Sequence, residues 1–343
     1  MIKSRMGPYL TRRGLIATGS VLPLVGILSR QASAAEFNYK FATGQDPTHP
    51  VNTRAAEAID RIRQATDGRV DIKLFPANQL GSDTDLLSQV RYGAVEFFNL
   101  STSVLATLLP TAGIVNTGFA FPNYEAVWRA MDGSLGQYIR AKIAKADLVM
   151  VAKFADNGFR HVTTSTRPVV TPADLQGMKL RVPPAPMLTS LFKALGAGPA
   201  PINFNEVYSS LQTKVVEGQE NPLPIIATAR LYEVQKYCSL TGHVWDGYVF
   251  LGNHRAWQRL PDDLRAIVTR ELDRSADDER ADIAKLSMSL RQTLAAKGLV
   301  FNEVDKEPFR AALAKTTFYA DWKAKYGAEV WNLLEQVTGK LVG

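Results

Sequence analysis

The sequence predicts an α/β protein in which strands alternate with helices. Three features of the 343-residue chain support this fold class: alternating strand and helix patterns between residues 37 and 100, a second alternation after residue 149, and an uninterrupted helical pattern between residues 262 and 297. Such alternation is typical of mostly parallel sheets with helices on their faces. Because ligands of these folds bind at the carboxyl ends of strands, the loops there are the expected site.

The first run begins with a strand at residues 37–43 and continues with apolar residues at helical spacing, namely Ala55, Ile59, Ile62 and Ala65. Asp67-Gly68 ends that helix. A strand, a helix and a strand follow at residues 70–75, 83–92 and 95–100. The polar, turn-rich loops after the three strands are the expected ligand contacts, at residues 44–50, 76–83 and 101–103.

The second run begins with a strand at residues 149–154, after which Asn157-Gly158 breaks the pattern and the chain passes into a second lobe. An extended segment follows at residues 160–164. Pro172 occupies the first position of a predicted helix. The remaining predictions are a strand at 179–182, an Asn-capped helix at 205–212 and a crossover strand at 243–251.

The longest predicted element is a helix after Pro261. Its apolar stripe consists of Leu264, Ile267, Val268, Leu272, Ile283, Leu286, Leu290 and Leu294, with no proline between them. An unbroken helix of about 36 residues would be roughly 54 Å long, longer than one lobe, so it would cross both lobes. The alternative is two helices with a break near Asp277-Asp278.

Residues 1–35 are predicted to be an export signal. Arg12-Arg13 form a twin-arginine segment, the apolar run from Leu15 to Leu28 is shorter than a membrane span of roughly 20 residues, and residues 32–34 are a small-residue cleavage pattern. An uncleaved anchor is the alternative. Removal of the five basic residues in this segment lowers the formal charge from +7 to +2. A nearly neutral chain offers no electrostatic surface for nucleic acid or an anionic membrane.

Motifs that would indicate an enzyme are missing from the sequence. It contains no Gly-x-Ser-x-Gly and no His-Glu-x-x-His segment, its four histidines are far apart, and Cys238 is its single cysteine. We therefore predict a protein that is not an enzyme and needs no metal or cofactor. A secreted enzyme is the remote alternative.

Arg181 and Asn221 lie beside turn-forming prolines, in Arg181-Val-Pro-Pro and in Gln219-Glu-Asn-Pro. An arginine presents a rigid fork of donors that fits a carboxylate, and an asparagine amide can add a further donor. The two residues are therefore a candidate carboxylate clamp. The alternative for such an arginine is a solvated strand residue.

Six short segments of the chain carry a family pattern: Pro76–Gly81, Gly158–Arg160, Leu175–Pro183, Leu195–Pro201, Phe204–Tyr208 and Glu217–Pro222. In this order and spacing they resemble the substrate-binding subunit of tripartite ATP-independent periplasmic (TRAP) transporters, of the dicarboxylate-binding type. The resemblance implies a two-lobed periplasmic fold with a ligand cleft between the lobes and a long helix spanning both. We expect lobe I at residues 36–157 plus about 247–280, and lobe II at residues 158–246 plus about 281–343.

The resemblance also implies the ligand contacts. The family's carboxylate-binding arginine falls on Arg181, its companion asparagine on Asn221 and an assisting arginine on Arg160, although this chain has one more residue between the two arginines. Five further positions are implied to face the cleft: Gln45, Asp83, Ser101, Phe204 and Trp245.

What the resemblance implies for function is capture of a small organic acid in the periplasm and its delivery to an ion-coupled TRAP permease. A binding protein for an ATP-driven (ABC) transporter or for a sensor kinase is the alternative. The acid and the arginine that sialic-acid-binding relatives carry at the places of Ser101 and Val104 are missing, which disfavours a sugar acid. Phe204, Trp245 and Val104 favour a carboxylate with an apolar or aromatic body, and a C4 dicarboxylate stays open. Residues 317–343 show no clear dimerising helix, so we expect a monomer without metal.

Overall fold

The computed structural model describes residues 35–341, so the predicted export signal, except for its last residue, lies outside the described residues. Twelve strands form two six-stranded sheets. The strands are β1 (Phe37–Thr43), β2 (Val70–Phe75), β3 (Phe97–Ser101), β4 (Leu148–Met150), β5 (Ala155–Phe159), β6 (His161–Thr164), β7 (Lys179–Val182), β8 (Gly198–Pro201), β9 (Gly218–Asn221), β10 (Tyr237–Leu240), β11 (Trp245–Asn253) and β12 (Val300–Glu303).

The first sheet has the order β2-β1-β3-β11-β4, with β5 also paired to β11, and the second has the order β12-β10-β6-β9-β7-β8. Both sheets are mixed, whereas the sequence suggested mostly parallel sheets. The strand β11 runs antiparallel to β3, β4 and β5, and β6 runs antiparallel to β9 and β10. The chain passes from one sheet to the other just before β6 and again just before β11. Each of these two strands runs antiparallel to its neighbours, whereas the strands joined by local βαβ units run parallel.

Thirteen α-helices cover the sheets in the described part of the chain. They are α1 (Pro50–Ala65), α2 (Asp83–Tyr92), α3 (Thr102–Leu105), α4 (Tyr124–Met131), α5 (Ser134–Ala144), α6 (Pro186–Ala194), α7 (Val207–Gln212), α8 (Leu223–Thr228), α9 (His254–Arg259), α10 (Asp262–Ala296), α11 (Glu307–Ala314), α12 (Phe318–Tyr326) and α13 (Ala328–Thr338). Within residues 35–341, none of them combines the length and the hydrophobicity that a membrane crossing requires.

The helix α10 confirms the prediction of one unbroken long helix, because its 35 residues include Asp277 and Asp278 without a break. It packs on α1 and β5 of the first sheet's layers and on α8 and β12 of the second sheet's layers. At its middle the apolar stripe gives way to buried polar residues, which are Glu271, Ser275 and Glu279. Glu271 pairs with Arg61 of α1, and Glu279 accepts a hydrogen bond from the backbone N of Asp156 in β5.

The C-terminal segment differs from its prediction, because it forms α12 and α13. Both helices pack on the same chain: α13 contacts α4 and α5, and α12 contacts α6. Buried Trp331 and Leu334 join α13 to a continuous core. The predicted lobe boundaries and the monomeric state stay predictions.

Candidate functional site

One cavity of about 290 Å³ brings residues of both sheets together. It is lined by Gln45, Asp83, Ser101, Ser103, Val104, Asn157, Arg160, Arg181, Pro183, Phe204, Asn221 and Ile225. Most of these residues follow the carboxyl ends of strands, where the α/β pattern placed the site. Seven of the eight residues predicted from the sequence to contact a ligand line this cavity.

Trp245 is the eighth residue, and the structure places it outside the cavity. Its indole is buried against Phe121 and Trp128, with ring centroids 6.1 and 5.6 Å away, and its Nε1 donates a hydrogen bond to Asp156 Oδ1 at 2.8 Å. Trp245 is therefore a core residue, and we do not retain it among the ligand contacts.

Arg181 is a buried cation without a salt bridge among residues 35–341. The strand β7 holds it between β8 and β9, and its side chain is 1% exposed. Its Nε and Nη2 donate to the carbonyl oxygen of Ile202 at 2.9 and 2.7 Å, and no carboxylate among residues 35–341 lies within 4 Å of the guanidinium. Burial lowers the pKa of Arg181 to about 9, so it stays protonated at neutral pH. An anionic ligand would supply the missing partner.

Arg160 lines the same cavity but is already paired. Its guanidinium binds the Glu220 carboxylate through Nε and Nη2, the latter at 2.8 Å from Oε1, and its Nη1 donates to Asp246 Oδ2 at 3.2 Å. Although burial opposes it, these carboxylates raise the pKa of Arg160. Two carboxylates therefore neutralise Arg160, whereas Arg181 is left for a ligand.

Glu220 and Asp246 organise the site, although neither is among the eight residues predicted from the sequence to contact a ligand. Both side chains are fully buried, and Glu220 also accepts a hydrogen bond from His243 Nε2 at 3.0 Å. Burial lowers the pKa of His243, so the ring is neutral, and its Nδ1 accepts from Thr241 Oγ1 at 2.8 Å. Glu220 stands inside the Gln-Glu-Asn-Pro segment, so the motif itself was the available signal.

Asn221 is oriented by this network. Its Oδ1 accepts from Arg160 Nη2 at 3.0 Å, and its Nδ2 donates to Gln219 Oε1 at 2.5 Å. Because an arginine can only donate, the orientation of the amide is fixed, and the second hydrogen of Nδ2 has no acceptor within residues 35–341. Asn221 can therefore donate to a bound carboxylate beside Arg181.

Asp83 faces Arg181 from the first sheet's side of the cavity. Its Oδ1 accepts from Asn78 Nδ2 at 2.8 Å, and burial raises its pKa despite Asn78 and Arg181, which lower it. A Cβ atom at Gly44 would lie 2.5 Å from the same oxygen. Glycine at position 44 therefore leaves the space that Asp83 occupies.

The two sides of the cavity also touch each other directly. Asn203 Nδ2, after β8, donates to Thr84 Oγ1 on α2 at 3.2 Å. Side chains from both sheets thus enclose a small volume, as in the closed arrangement of a cleft.

A larger cavity of about 880 Å³ lies near β5, α8 and α10. Its walls are mainly apolar or proline residues, including Phe159, Pro222 and Ile283, with Lys306 as one of its two cations. The buried polar atoms that lack partners in the described chain include Gln45 Oε1 and Asn157 Oδ1 of the small cavity but none of the large one. The small cavity is therefore the candidate site.

A pair of buried carboxylates lies behind the cavity and should make stability depend on pH. Glu279 Oε2 accepts from the Asp156 backbone N at 2.8 Å, and burial raises the pKa of Asp156 to about 7. The folded state therefore holds a proton that the unfolded chain releases near pH 4, so the free energy of unfolding should fall between about pH 4 and 7. At about 1.4 kcal/mol per pKa unit, the fall for Asp156 is at most about 4 kcal/mol.

Asp156→Asn is expected to reduce this fall, because the amide keeps an acceptor for Trp245 but does not titrate. Urea unfolding of the unliganded protein at pH 5 and pH 8 measures it. Asp60→Asn, at an exposed position of α1, is the control and should behave like the wild type. An equal fall in the wild type and in Asp156→Asn would contradict the assignment.

No group of three or more His, Cys, Asp or Glu side chains in the described part of the chain is arranged to hold a metal ion.

Sequence comparisons identify relatives that span most of the chain. A family model described as bacterial extracellular solute-binding protein, family 7, matches residues 41–321. The chain is 34% identical over 308 residues to the uncharacterized protein y4mM of Sinorhizobium fredii. That match covers 89% of this chain and 57% of the relative, so the chain spans little more than half of the relative's length.

Solved structures with the same fold include two whose bound molecules are known. The sugar-acid-binding protein DctPAm of Advenella mimigardefordensis, in complex with galactonate, superimposes with a TM-score of 0.85 at 28% identity, over 90% of this chain and 100% of that one. A TRAP periplasmic solute-binding protein of Sulfurospirillum deleyianum, with bound succinate, has a TM-score of 0.83 at 27% identity, over 89% and 99%. The similarity thus includes both sheets and the long helix.

Proposed function

Because the chain belongs to family 7 of the bacterial extracellular solute-binding proteins, we propose that its cavity captures a small organic acid for a TRAP transporter. The observation that carries the proposal is Arg181, a buried guanidinium that lacks a carboxylate partner among residues 35–341. Burying a carboxylate in such a cavity is favourable only when it is paired and hydrogen-bonded. Arg181 and the free N–H of Asn221 supply both requirements.

Binding begins on the second sheet's side in this proposal. The carboxylate pairs with Nη1 of Arg181, since Nε and Nη2 are held by the Ile202 carbonyl. Asn221 donates to the same anion, and the ring of Phe204 packs against the ligand. Arg160 positions Asn221 and keeps Glu220 neutralised, so its main role is structural.

Closure follows from contacts on the opposite side. Gln45, Asp83 and Ser101 line the cavity together with Arg181, so a ligand that touches both sides binds the closed form better than the open form. A ligand shifts such an equilibrium only by its difference in affinity for the two forms. The closed, liganded protein is the form that the permease would recognise.

The finer parts of the function are also proposals. The periplasm is the proposed compartment, reached by the twin-arginine route, and replacement of Arg12 and Arg13 by lysine should retain the chain in the cytoplasm in cell fractionation. We propose a monomer that binds no nucleic acid and catalyses no reaction. Two neighbouring genes for a small and a large membrane protein would support the TRAP system, whereas a gene for an ATPase would support an ABC transporter.

The solved relatives hold different kinds of acid, since one structure contains galactonate and another contains succinate. Galactonate is a sugar acid, so the missing sialic-acid pattern does not exclude sugar acids. The test is a thermal-shift screen of the protein purified from the periplasm against several hundred organic acids and neutral sugars. Stabilisation by one or a few carboxylates is the expected result, and responses confined to neutral sugars would contradict the proposal.

A further inference from the structure

The larger cavity, of about 880 Å³, lies where the chain crosses from one sheet to the other. Phe159 and His161 belong to the crossing from β5 to β6, and Gly242 belongs to the crossing from β10 to β11. The first crossing also forms part of the small cavity, which Asn157 and Arg160 line. The two cavities therefore share a wall but no lining residue, so a change in one can leave the other intact.

Lys306 brings an ammonium group to the larger cavity, and no carboxylate among residues 35–341 pairs with it. The two glutamates closest to it in the sequence are engaged elsewhere, because Glu303 pairs with Arg291 at 2.5 Å and Glu307 pairs with Arg310 at 3.6 Å. Burial lowers the pKa of Lys306. A bound anion would offset the cost of burying this amine in its charged form.

His161 adds a second donor beside Lys306. Its Nδ1 accepts from the backbone N of Gly242 at 3.1 Å, and burial lowers its pKa to about 3, so the neutral ring carries its hydrogen on Nε2. A Cβ atom at Gly242 would lie 2.8 Å from Lys306 Nζ and 3.9 Å from His161 Cε1, so the two side chains meet around this glycine. An ammonium group and a neutral N–H side by side suit the two oxygens of one carboxylate.

The rest of the cavity wall is mainly apolar. The ring centroid of Phe159 lies 5.8 Å from Lys306 Nζ, and Ile283 of α10 lines the same space. Arg291 is the other cation of the wall, but Glu303 already neutralises it. A single cation that lacks a carboxylate partner in the described chain, set against an apolar wall, matches an anion of one charge with an apolar body.

We propose that this cavity is a second binding site, separate from the small cavity, for a monocarboxylate with an apolar body. The carboxylate pairs with Lys306 Nζ and accepts a hydrogen bond from His161 Nε2, and the hydrocarbon part packs against Phe159 and Ile283. A dicarboxylate or a phosphate would bury a second negative charge without a partner, and an alcohol would leave Lys306 unpaired. The volume is that of an ordinary small-molecule pocket.

The test uses octanoate as the probe in isothermal titration calorimetry. Arg181→Met is the starting variant, since it removes the carboxylate clamp of the small cavity and changes no residue of the larger one. We expect one octanoate per chain, with affinity rising about two- to fourfold per methylene from butanoate to octanoate. Octylamine and 1-octanol should bind about tenfold more weakly or worse. Absence of octanoate binding, or equal binding of the three compounds, would overturn the inference.

A second substitution locates the carboxylate. Lys306→Met, added to Arg181→Met, should weaken octanoate binding by about tenfold or more, and methionine keeps an apolar chain of similar length beside Phe159. Lys315→Met, at the exposed end of α11, is the control and should leave the affinity unchanged. Urea unfolding checks that both variants are folded. Equal octanoate affinity with and without Lys306→Met would overturn the assignment, whereas the proposed function is judged separately, by the acids that bind the wild type and not Arg181→Met.

Discussion

Replacing Arg181 with methionine is expected to abolish binding of the organic acid and to leave the unliganded protein nearly as stable as the wild type. The variant removes the cation that lacks a carboxylate partner in the described chain, so a bound carboxylate would be buried without a counter-charge. Truncating one member of a buried, hydrogen-bonded charge pair costs about 2–5 kcal/mol, so affinity should fall about 100-fold or more. Calorimetry with the tightest-binding acid of the screen measures this.

Stability responds differently, because two effects oppose each other in the unliganded variant. The Ile202 carbonyl loses two donors, but a buried cation without a salt bridge in the described chain is replaced by an apolar chain of similar length. We expect a change in free energy of unfolding within about 1 kcal/mol, measured by urea titration. Normal ligand-induced stabilisation of Arg181→Met would refute the clamp.

Arg140 offers a matched control for Arg181. Its guanidinium also donates to backbone carbonyls, those of Met150 and Ala152 at 2.8 and 3.0 Å, but it lies away from the cavity. Arg140→Met should leave the affinity for the acid unchanged. A similar loss of affinity in both variants would show that the effect of Arg181→Met is general and not local.

Local patterns were enough to predict much of the fold. The strand at residues 179–182 and the helix at residues 83–92 have the predicted bounds, because each carries a complete local signal: apolar alternation in β7, and a Ser82 capping box with Gly93 at the end of α2. The long helix followed from an apolar stripe without proline. Local patterns did not predict the direction of each strand, because direction depends on how the chain crosses from one sheet to the other.

The error at Trp245 has a simple physical origin. All nine residues of β11 are buried, so alternation of polar and apolar residues could not show which side chains face the cavity. The indole of Trp245 points into the core, and the next residue, Asp246, points to the other face and organises the cavity wall. The suggestion of an aromatic ligand rested in part on Trp245 and loses that support.

The pairing of Arg160 could not be predicted from the sequence either. An arginine in a motif is equally suited to a ligand and to a buried carboxylate, and only the spatial neighbours distinguish the two cases. Arg160 meets Glu220, which is 60 positions away, and Asp246, which is 86 away. The opposite directions of the pKa shifts of Arg160 and Arg181 express this difference.

Arg160→Met should therefore destabilise the unliganded protein strongly, unlike Arg181→Met. The change leaves Glu220 and Asp246 buried with one cation fewer between them, and breaking a buried pair costs about 3–5 kcal/mol. Urea unfolding at pH 7 without ligand measures the loss.

A double variant separates charge pairing from packing around Arg160. Arg160→Met combined with Glu220→Gln removes the uncompensated carboxylate together with the cation, so it should recover part of the stability lost in Arg160→Met alone. If Arg160→Met were as stable as the wild type and failed only in binding the acid, Arg160 would be a direct ligand contact. The two arginines would then form a double clamp, and a ligand with two carboxylates would become the better hypothesis.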